Sequence, residues 1–152
     1  MNTVTTKNAA AHGTSKAQLA RGVRAGRYER IARGIYQPTD AEAGDLDWIE
    51  AAARRPDAIV CLMSALAHHG LTDEIPARSD IAIPRGSQPV TVHHAPIAWH
   101  RFDVDTFNIG RGEYDLPGGS QIGLYSAERT LIDIFRLRHT WGADLAYGAL
   151  KQ

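Results

Sequence analysis

The sequence predicts an α+β protein with two parts: an N-terminal module, residues 1–38, and a small mixed α+β domain, residues 45–152. Three observations support this division. The module contains a capped helix followed by two short β-rich runs. The connecting residues 39–44 are small, acidic and rich in breakers of regular structure, which is typical of a linker. Beyond the linker, segments with the helical period alternate with segments that have the period of strands.

The helix of the module is predicted from its capping residues. Ser15 is a good N-cap, and Gln18 three residues later completes a capping box, so the helix should begin at Lys16. Gly26 supplies the left-handed residue that ends it. Apolar residues four apart on this helix should face a small core, together with an aromatic residue of the following hairpin. The residues expected in this core are Leu19, Val23 and Tyr36.

The segments on either side complete a winged helix-turn-helix. Residues 28–31 and 35–37 surround the short connection 32–34 and predict a hairpin, the wing. Upstream, residues 5–12 predict a preceding helix, with Gly13 at the tight turn. In this arrangement the second helix reads base edges in the major groove of DNA, while the wing and flanking groups hold phosphates.

Only about a dozen residues precede Gly13, so the first helix of a complete winged helix-turn-helix is expected to be missing. Two helices and a hairpin bury too little apolar surface to stand alone. Three explanations stay open from the sequence. The module packs on the second domain, it packs on a partner chain, or the chain begins late.

Charge separates the two parts of the chain. The whole sequence has 17 basic and 17 acidic residues, but residues 1–38 contain seven basic residues and one acidic residue, a balance of +6. The remainder therefore carries −6. A basic module on an acidic body is expected of a protein that binds phosphates. The alternative is a solvated basic helix that has no binding role and only neutralises the acidic domain. The residues predicted to contact double-stranded DNA are Ser15, Lys16, Gln18, Arg21, Arg24, Arg27, Arg30 and Arg33.

Local patterns also place the elements of the second domain. An almost wholly apolar segment, residues 58–69, ends at Gly70 and is expected to be the buried central helix. Residues 104–120 contain several glycines, which predicts a loop between weak strands. The other helices are predicted at 45–55, 126–139 and from 144 to the end, and the strands at 80–84, 89–94, 97–103 and 121–124.

The composition of the chain indicates the cellular compartment in which it works. The single cysteine, Cys61, excludes an intrachain disulfide framework and favours a reducing environment. The first eleven residues are polar and do not form a signal peptide. The longest apolar run, residues 58–67, is too short to span a bilayer. We therefore expect a cytoplasmic protein that is not associated with a membrane.

Enzyme signatures are weak. Neither H-E-x-x-H nor C-x-x-C occurs, and the adjacent pairs His68-His69 and His93-His94 cannot easily share a metal, so His69 is interpreted as a structural histidine. The acidic residues of the second domain lack a lysine partner apart from Lys151, which argues against a nuclease. We expect no catalytic residue, metal or cofactor. A nuclease-like enzyme and a protein-interaction module that uses the second domain remain alternatives.

Four sequence fragments together resemble the AbiEi family, the antitoxins of type IV toxin–antitoxin systems. The first is the capped helix and wing, from Ser15 to Tyr36, in the pattern S-x-x-Q-L-x-x-x-V-x-x-G-x-x-x-R-x-x-x-G-I-Y. The second is the end of the apolar helix, residues 64–72. The third is Pro84-Arg85-Gly86. The fourth is Ser126 with Arg129-Thr130-Leu131 and Asp133, where the arginine and aspartate also predict an ion pair one helical turn apart.

The resemblance implies a transcriptional regulator that binds inverted repeats upstream of its own operon. On such DNA we expect a homodimer. The resemblance also implies functional pairing with a nucleotidyltransferase-like toxin. Compared with the family pattern, the chain lacks the usual first helix and stops early, so we expect a truncated C-terminus as well.

Overall fold

The computed structural model describes residues 2–94 and 96–152, and it confirms the predicted α+β class. The strands are β1 (Val4–Thr5), β2 (Tyr28–Ala32), β3 (Ile35–Pro38), β4 (Ile59–Val60), β5 (Ser79–Pro84), β6 (Ile97–Phe102), β7 (Arg111–Asp115) and β8 (Gln121–Tyr125). The helices are α1 (Lys16–Arg24), α2 (Leu46–Arg54), α3 (Leu62–His68), α4 (Ala127–Arg136), α5 (Arg138–Trp141) and α6 (Ala143–Leu150), with a 3₁₀ turn at Ala10–His12. None of the described helices combines the length and apolarity that crossing a bilayer requires.

The N-terminal module is a three-stranded antiparallel sheet of order β1-β3-β2 with α1 packed on it. The predicted limits of α1 are confirmed. Ser15 Oγ accepts the N–H of Gln18 at 3.2 Å, and Gly26, with φ of +77°, follows the helix. The N–H groups of Gly26 and of the next residue return to carbonyls of the last helical turn, which are the two bonds of a Schellman motif.

The predicted helix over residues 5–12 is wrong. Val4 and Thr5 form β1 on the edge of the wing, and one 3₁₀ turn is all that remains of the helix. The N–H of Thr5 donates to Asn8 Oδ1 at 2.7 Å, and the N–H of Asn8 donates to Thr5 Oγ1 at 3.1 Å. Such local side-chain bonds compete with a helix, and here they close a turn that leaves Val4 buried in the core.

The small core of the module differs from the prediction at one position. Leu19 is fully buried, but Val23 is 36% exposed and lies outside the core. The Tyr28 ring of the sheet packs closely on α1 at Gly22, where an added Cβ would lie 2.9 Å from it. Val23, the next residue, is about 100° further round the helix and faces away from this contact. The residues of the core are Val4, Ala9 and Leu19, with Tyr28 and Tyr36 half-buried against them.

The second domain is built on a five-stranded mixed sheet of order β6-β5-β4-β8-β7. The β5–β6 and β4–β8 pairs are parallel, and the β4–β5 and β7–β8 pairs are antiparallel. Alternate residues face opposite sides of the sheet. Ile59 and Tyr125 pack with residues of α3, α4 and α6 on one side, and Val60 and Leu124 pack with α2 on the other.

The segment predicted as one helix, residues 58–69, is a strand followed by a helix. The β-branched Ile59 and Val60 form the central strand, which pairs with both β5 and β8. α3 follows and is buried from Leu62 to Leu66. A continuous apolar run does not distinguish a buried strand from a buried helix, which is why the pattern misled. The end of the helix at Gly70, with φ of +71°, is as predicted.

The strand predicted at residues 89–94 is absent from the described part of the chain. β5 and β6 are parallel neighbours. After β5 ends at Pro84, the chain must therefore run back the length of the strand before β6 can begin at Ile97. Residues 85–96 are used for that return, and the described ones carry only turns and irregular backbone.

The module packs on the second domain, which is the first of the three explanations that the sequence left open. The N–H of Thr3 donates to Gly118 O at 2.6 Å, and Gln37 Nε2 donates to Pro117 O at 3.3 Å. Ile31 of β2 packs against the cluster on the α2 side of the second sheet. The turn between β7 and β8 therefore accepts hydrogen bonds from the module, at Thr3 before β1 and at Gln37 of β3. The exact limits of the linker, residues 39–44, stay a prediction.

Candidate nucleic-acid interface

All eight residues predicted to contact DNA are exposed. Among the described residues, none of their cationic side chains forms a salt bridge. Several arginines of the second domain differ in this respect, because Arg54, Arg111 and Arg129 each pair with an acidic side chain at 2.9 Å. The positive charge of the module is thus presented to solvent instead of being neutralised by the acidic body.

The outward face of α1 carries three polar side chains in register. Gln18, Arg21 and Arg24 are three residues apart, so they lie one above the other along the same side of the helix. Leu19 and Gly22, which lie on the opposite side, are buried against the sheet. The Gln18 side chain makes no hydrogen bond with any described residue, so the capping box is half-formed and the amide is available to a ligand. This face presents both amide and guanidinium groups, the types that read adenine and guanine edges.

A cleft of about 380 Å³ lies between the start of α1 and the wing. It brings together three of the predicted residues, Lys16, Arg30 and Arg33, from a helix, a strand and a turn. Gly34, with φ of +75°, allows the tight Arg33-Gly34 turn that places the arginine at the tip of the wing. The cleft has no acidic lining residue in the described part of the chain. Its geometry and charge suit a backbone phosphate.

The remaining predicted residues lie at the ends of α1. Ser15 caps its start, and Arg27 follows its last turn, where a backbone N–H completes the Schellman motif. Sequence reasoning omitted Lys7 from the site, although the residue was counted in the charge of the module. Lys7 lines a second cleft on the other side of Arg33. The unpaired positive charge of Lys7 could have indicated a DNA contact. Its position beside the wing depends on β1, however, and the sequence predicted a helix for residues 5–12.

The described residues offer little support for metal chemistry. No group of three or more histidine, cysteine, aspartate or glutamate side chains is arranged to hold a metal ion in residues 2–94 and 96–152. The structural role predicted for His69 is confirmed, since its Nε2 lies 2.8 Å from Tyr125 O. His68 packs against the rings of Trp48 and Tyr114, and burial, followed by the neighbouring His69, lowers its pKa.

Cys61 is expected to be chemically silent in the native protein. The thiol is fully buried at the start of α3, and burial, with a smaller contribution from Asp80, raises its pKa well above the ordinary value. Only the thiolate reacts rapidly with alkylating reagents. Iodoacetamide should therefore label the protein much more slowly in buffer than in denaturant, as mass spectrometry can measure. Rapid stoichiometric labelling of the folded protein would contradict this assignment.

Comparison with known protein families gives a match over the module. Residues 1–39 match the family described as transcriptional regulator, AbiEi antitoxin. The match spans β1, α1 and the wing, and ends one residue after β3. The three sequence fragments of the second domain that resemble the same family lie outside it. A comparison with curated proteins gives no match.

Proposed function

We propose that this protein is a sequence-specific DNA-binding transcriptional regulator that acts as an autorepressing antitoxin of a type IV toxin–antitoxin system. The observation that carries the proposal is the basic surface of the module. A helix with an outward polar face and a wing with exposed arginines lie side by side, and their charges have no acidic partner among the described residues. The family match over residues 1–39 supports the same function.

DNA binding would proceed in two steps. The charge of the module attracts the duplex from a distance and holds phosphates at Lys16, Arg30 and Arg33. α1 then presents Gln18, Arg21 and Arg24 to base edges in the major groove. The first step supplies most of the affinity and its dependence on salt, and the second supplies the choice of sequence.

Inverted repeats require two copies of the module. A single α1 reads one half-site, so a palindromic operator upstream of its own operon would bind a homodimer whose two-fold axis coincides with that of the DNA. The antitoxin role would join this repression to the control of a nucleotidyltransferase-like toxin from the same operon. The proposed activity needs neither a catalytic residue nor a cofactor.

The face of α1 can be tested by removing its arginines one at a time. Arg21→Ala or Arg24→Ala should weaken binding to a duplex from the upstream region of the gene by about 1 to 3 kcal/mol if the arginine makes a bidentate base contact. The loss should be much smaller on unrelated DNA. Fluorescence anisotropy with both duplexes measures the two affinities.

Arg33→Ala supplies the contrast within the same experiment. It removes a phosphate contact, so binding should weaken on every sequence and the slope of log K against log[salt] should flatten by about one unit. Arg138→Ala, an exposed arginine of the second domain, is the matched control and should bind as the wild type does. Unchanged binding in the variants at residues 21, 24 and 33 would rule out this interface. If unrelated competitor DNA removes the wild type as easily as the operator does, a protein-interaction role for the basic face becomes the better explanation.

A further inference from the structure

A second basic cleft, of about 360 Å³, lies where the wing faces the second domain. The module contributes Thr6, Lys7 and Arg33 to its lining. The second domain contributes Arg54 at the end of α2, and Thr91 and His93 from the segment that returns from β5 to β6. No acidic side chain lines this cleft in the described part of the chain. Basic side chains therefore line it from both units, although the second domain, residues 45–152, has 10 basic and 14 acidic residues, a balance of −4.

A buried carboxylate organises the side of the cleft that belongs to the second domain. Glu50 is completely buried, and its two oxygens have different partners. Oε2 accepts from Arg54 Nε at 2.9 Å, and Oε1 accepts from the backbone N–H of His93 at 2.8 Å. One acidic residue thus holds the guanidinium and fixes the returning segment next to it.

The orientation of Arg54 leaves donors for a ligand. Its Nε is used by Glu50, whereas its two Nη groups have no hydrogen-bond partner among the described residues. The side chain is 24% exposed, so the guanidinium can be reached from the cleft. A guanidinium whose Nε is held by a carboxylate still has a planar pair of N–H groups that can bind a phosphate.

The two basic clefts adjoin at the wing. Arg33 and Gly34 of the wing line both of them, so the cations follow one another from Lys16 across the tip of the wing to Arg54. Neighbouring phosphates of a DNA strand present charges at a regular short spacing, and a row of cations is the complement of such a strand.

We propose that the cleft of Lys7, Arg33, Arg54 and His93 binds a phosphate of the same DNA strand that the wing contacts, so that the second domain takes part in DNA binding. This inference rests on the proposed DNA-binding function. It assigns to Glu50 the role of a positioning residue, because it acts through Arg54 and the returning segment. It also predicts that the region protected on DNA extends beyond the part that α1 and the wing cover.

Two substitutions test the contribution of the second domain. Arg54→Gln removes the cation, but it leaves Glu50 buried without its arginine, so stability must be measured alongside. Thr91→Glu places a negative charge in the cleft from an exposed position and does not touch Glu50. Thr140→Glu, an exposed threonine of α5, is the matched control. Affinity for the operator duplex is measured by anisotropy over a series of salt concentrations.

The expected result is weaker binding by both cleft variants on operator and unrelated DNA alike, with the salt slope of Arg54→Gln reduced by about one unit. Thr140→Glu should match the wild type. Unchanged affinity and slope in both cleft variants, while Arg33→Ala still weakens binding, would overturn this inference and leave the proposed function intact. Failure of the wild type to prefer its operator would overturn both.

Discussion

Replacing Arg129 by methionine is expected to lower the free energy of unfolding by about 3 to 5 kcal/mol, the usual cost of removing one partner from a buried ion pair. Arg129 is nearly buried in α4, and its Nε donates to Asp133 Oδ2 at 2.9 Å. Its Nη1 donates to the carbonyls of Thr106 and Ile109 at 2.6 and 2.7 Å. The guanidinium lies 4.3 Å from the centre of the Tyr125 ring. One side chain therefore connects α4, β8 and the loop before β7.

The substitution leaves several polar groups without partners. The two loop carbonyls lose their Arg129 donor, and among the described residues Asp133 keeps Arg136 as its one ionic partner, with Nη2 3.2 Å from Oδ1. Because that second arginine is 52% exposed, it compensates in part, and the loss should fall near the lower end of the range. Equilibrium denaturation measures it as a lower midpoint with an unchanged m value.

Two further variants separate the ion pair from simple packing. Arg136→Met removes the exposed partner and should cost at most about 1 kcal/mol. The double variant Arg129→Met/Asp133→Leu removes both buried charges, so it should recover part of the stability that the single variant loses. A single variant at Arg129 that unfolds within about 1 kcal/mol of the wild type would contradict this account.

The elements that sequence predicted well are those whose signals are local. Ser15 and Gly26 set the ends of α1 through bonds to residues within the same turn. Arg129 and Asp133 are four apart on a helix, so their pairing needs no knowledge of the rest of the fold. The residues of the candidate interface could be proposed from the sequence for the same reason, since they lie within one short segment and most of them are charged.

The errors occur where distant residues decide the structure. Val4 and Thr5 are a strand because they pair with Tyr36 and Ile35, about thirty residues later in the chain. Ile59 and Val60 are a strand because partners lie on both of their sides. Local periodicity contains no information about such partners.

The part of the candidate interface that belongs to the second domain was hidden for the same reason. Arg54 reaches the wing through the packing of two units, and His93 reaches it through a segment that was predicted to be a strand. Neither position carries a motif. The second domain is acidic overall, so its net charge gave no indication that part of it would contact DNA.

Gly118→Ala is expected to destabilise the protein by about 2 to 5 kcal/mol because it acts on the contact between the two units. Gly118 has φ of +85°, a conformation that costs an L-residue about 1 to 2 kcal/mol. An added Cβ would also clash with Thr3 Oγ1 and lie 3.3 Å from the Gln37 side chain. Overpacking of this kind costs about 1 to 3 kcal/mol more, since neighbouring groups must move. Equilibrium denaturation measures the total.

A second glycine isolates the backbone part of this effect. Gly13 has φ of +70°, but no atom lies within 4 Å of an added Cβ. Gly13→Ala should therefore cost only the backbone term, about 1 to 2 kcal/mol. The difference between the two variants measures how tightly β1 is held against the turn between β7 and β8.

The double variant Thr3→Ala/Gly118→Ala tests the contact itself. Thr3 Oγ1 is buried and has no hydrogen-bond partner among the described residues, so its removal should cost little on its own. It would relieve the closest clash, while the bond from the Thr3 N–H to Gly118 O is kept. The double variant should then be more stable than Gly118→Ala, with a coupling energy of about 0.5 to 3 kcal/mol. Additive effects would mean that the module is not seated on this turn in solution, and Arg33 and Arg54 would then have no fixed separation across the second cleft.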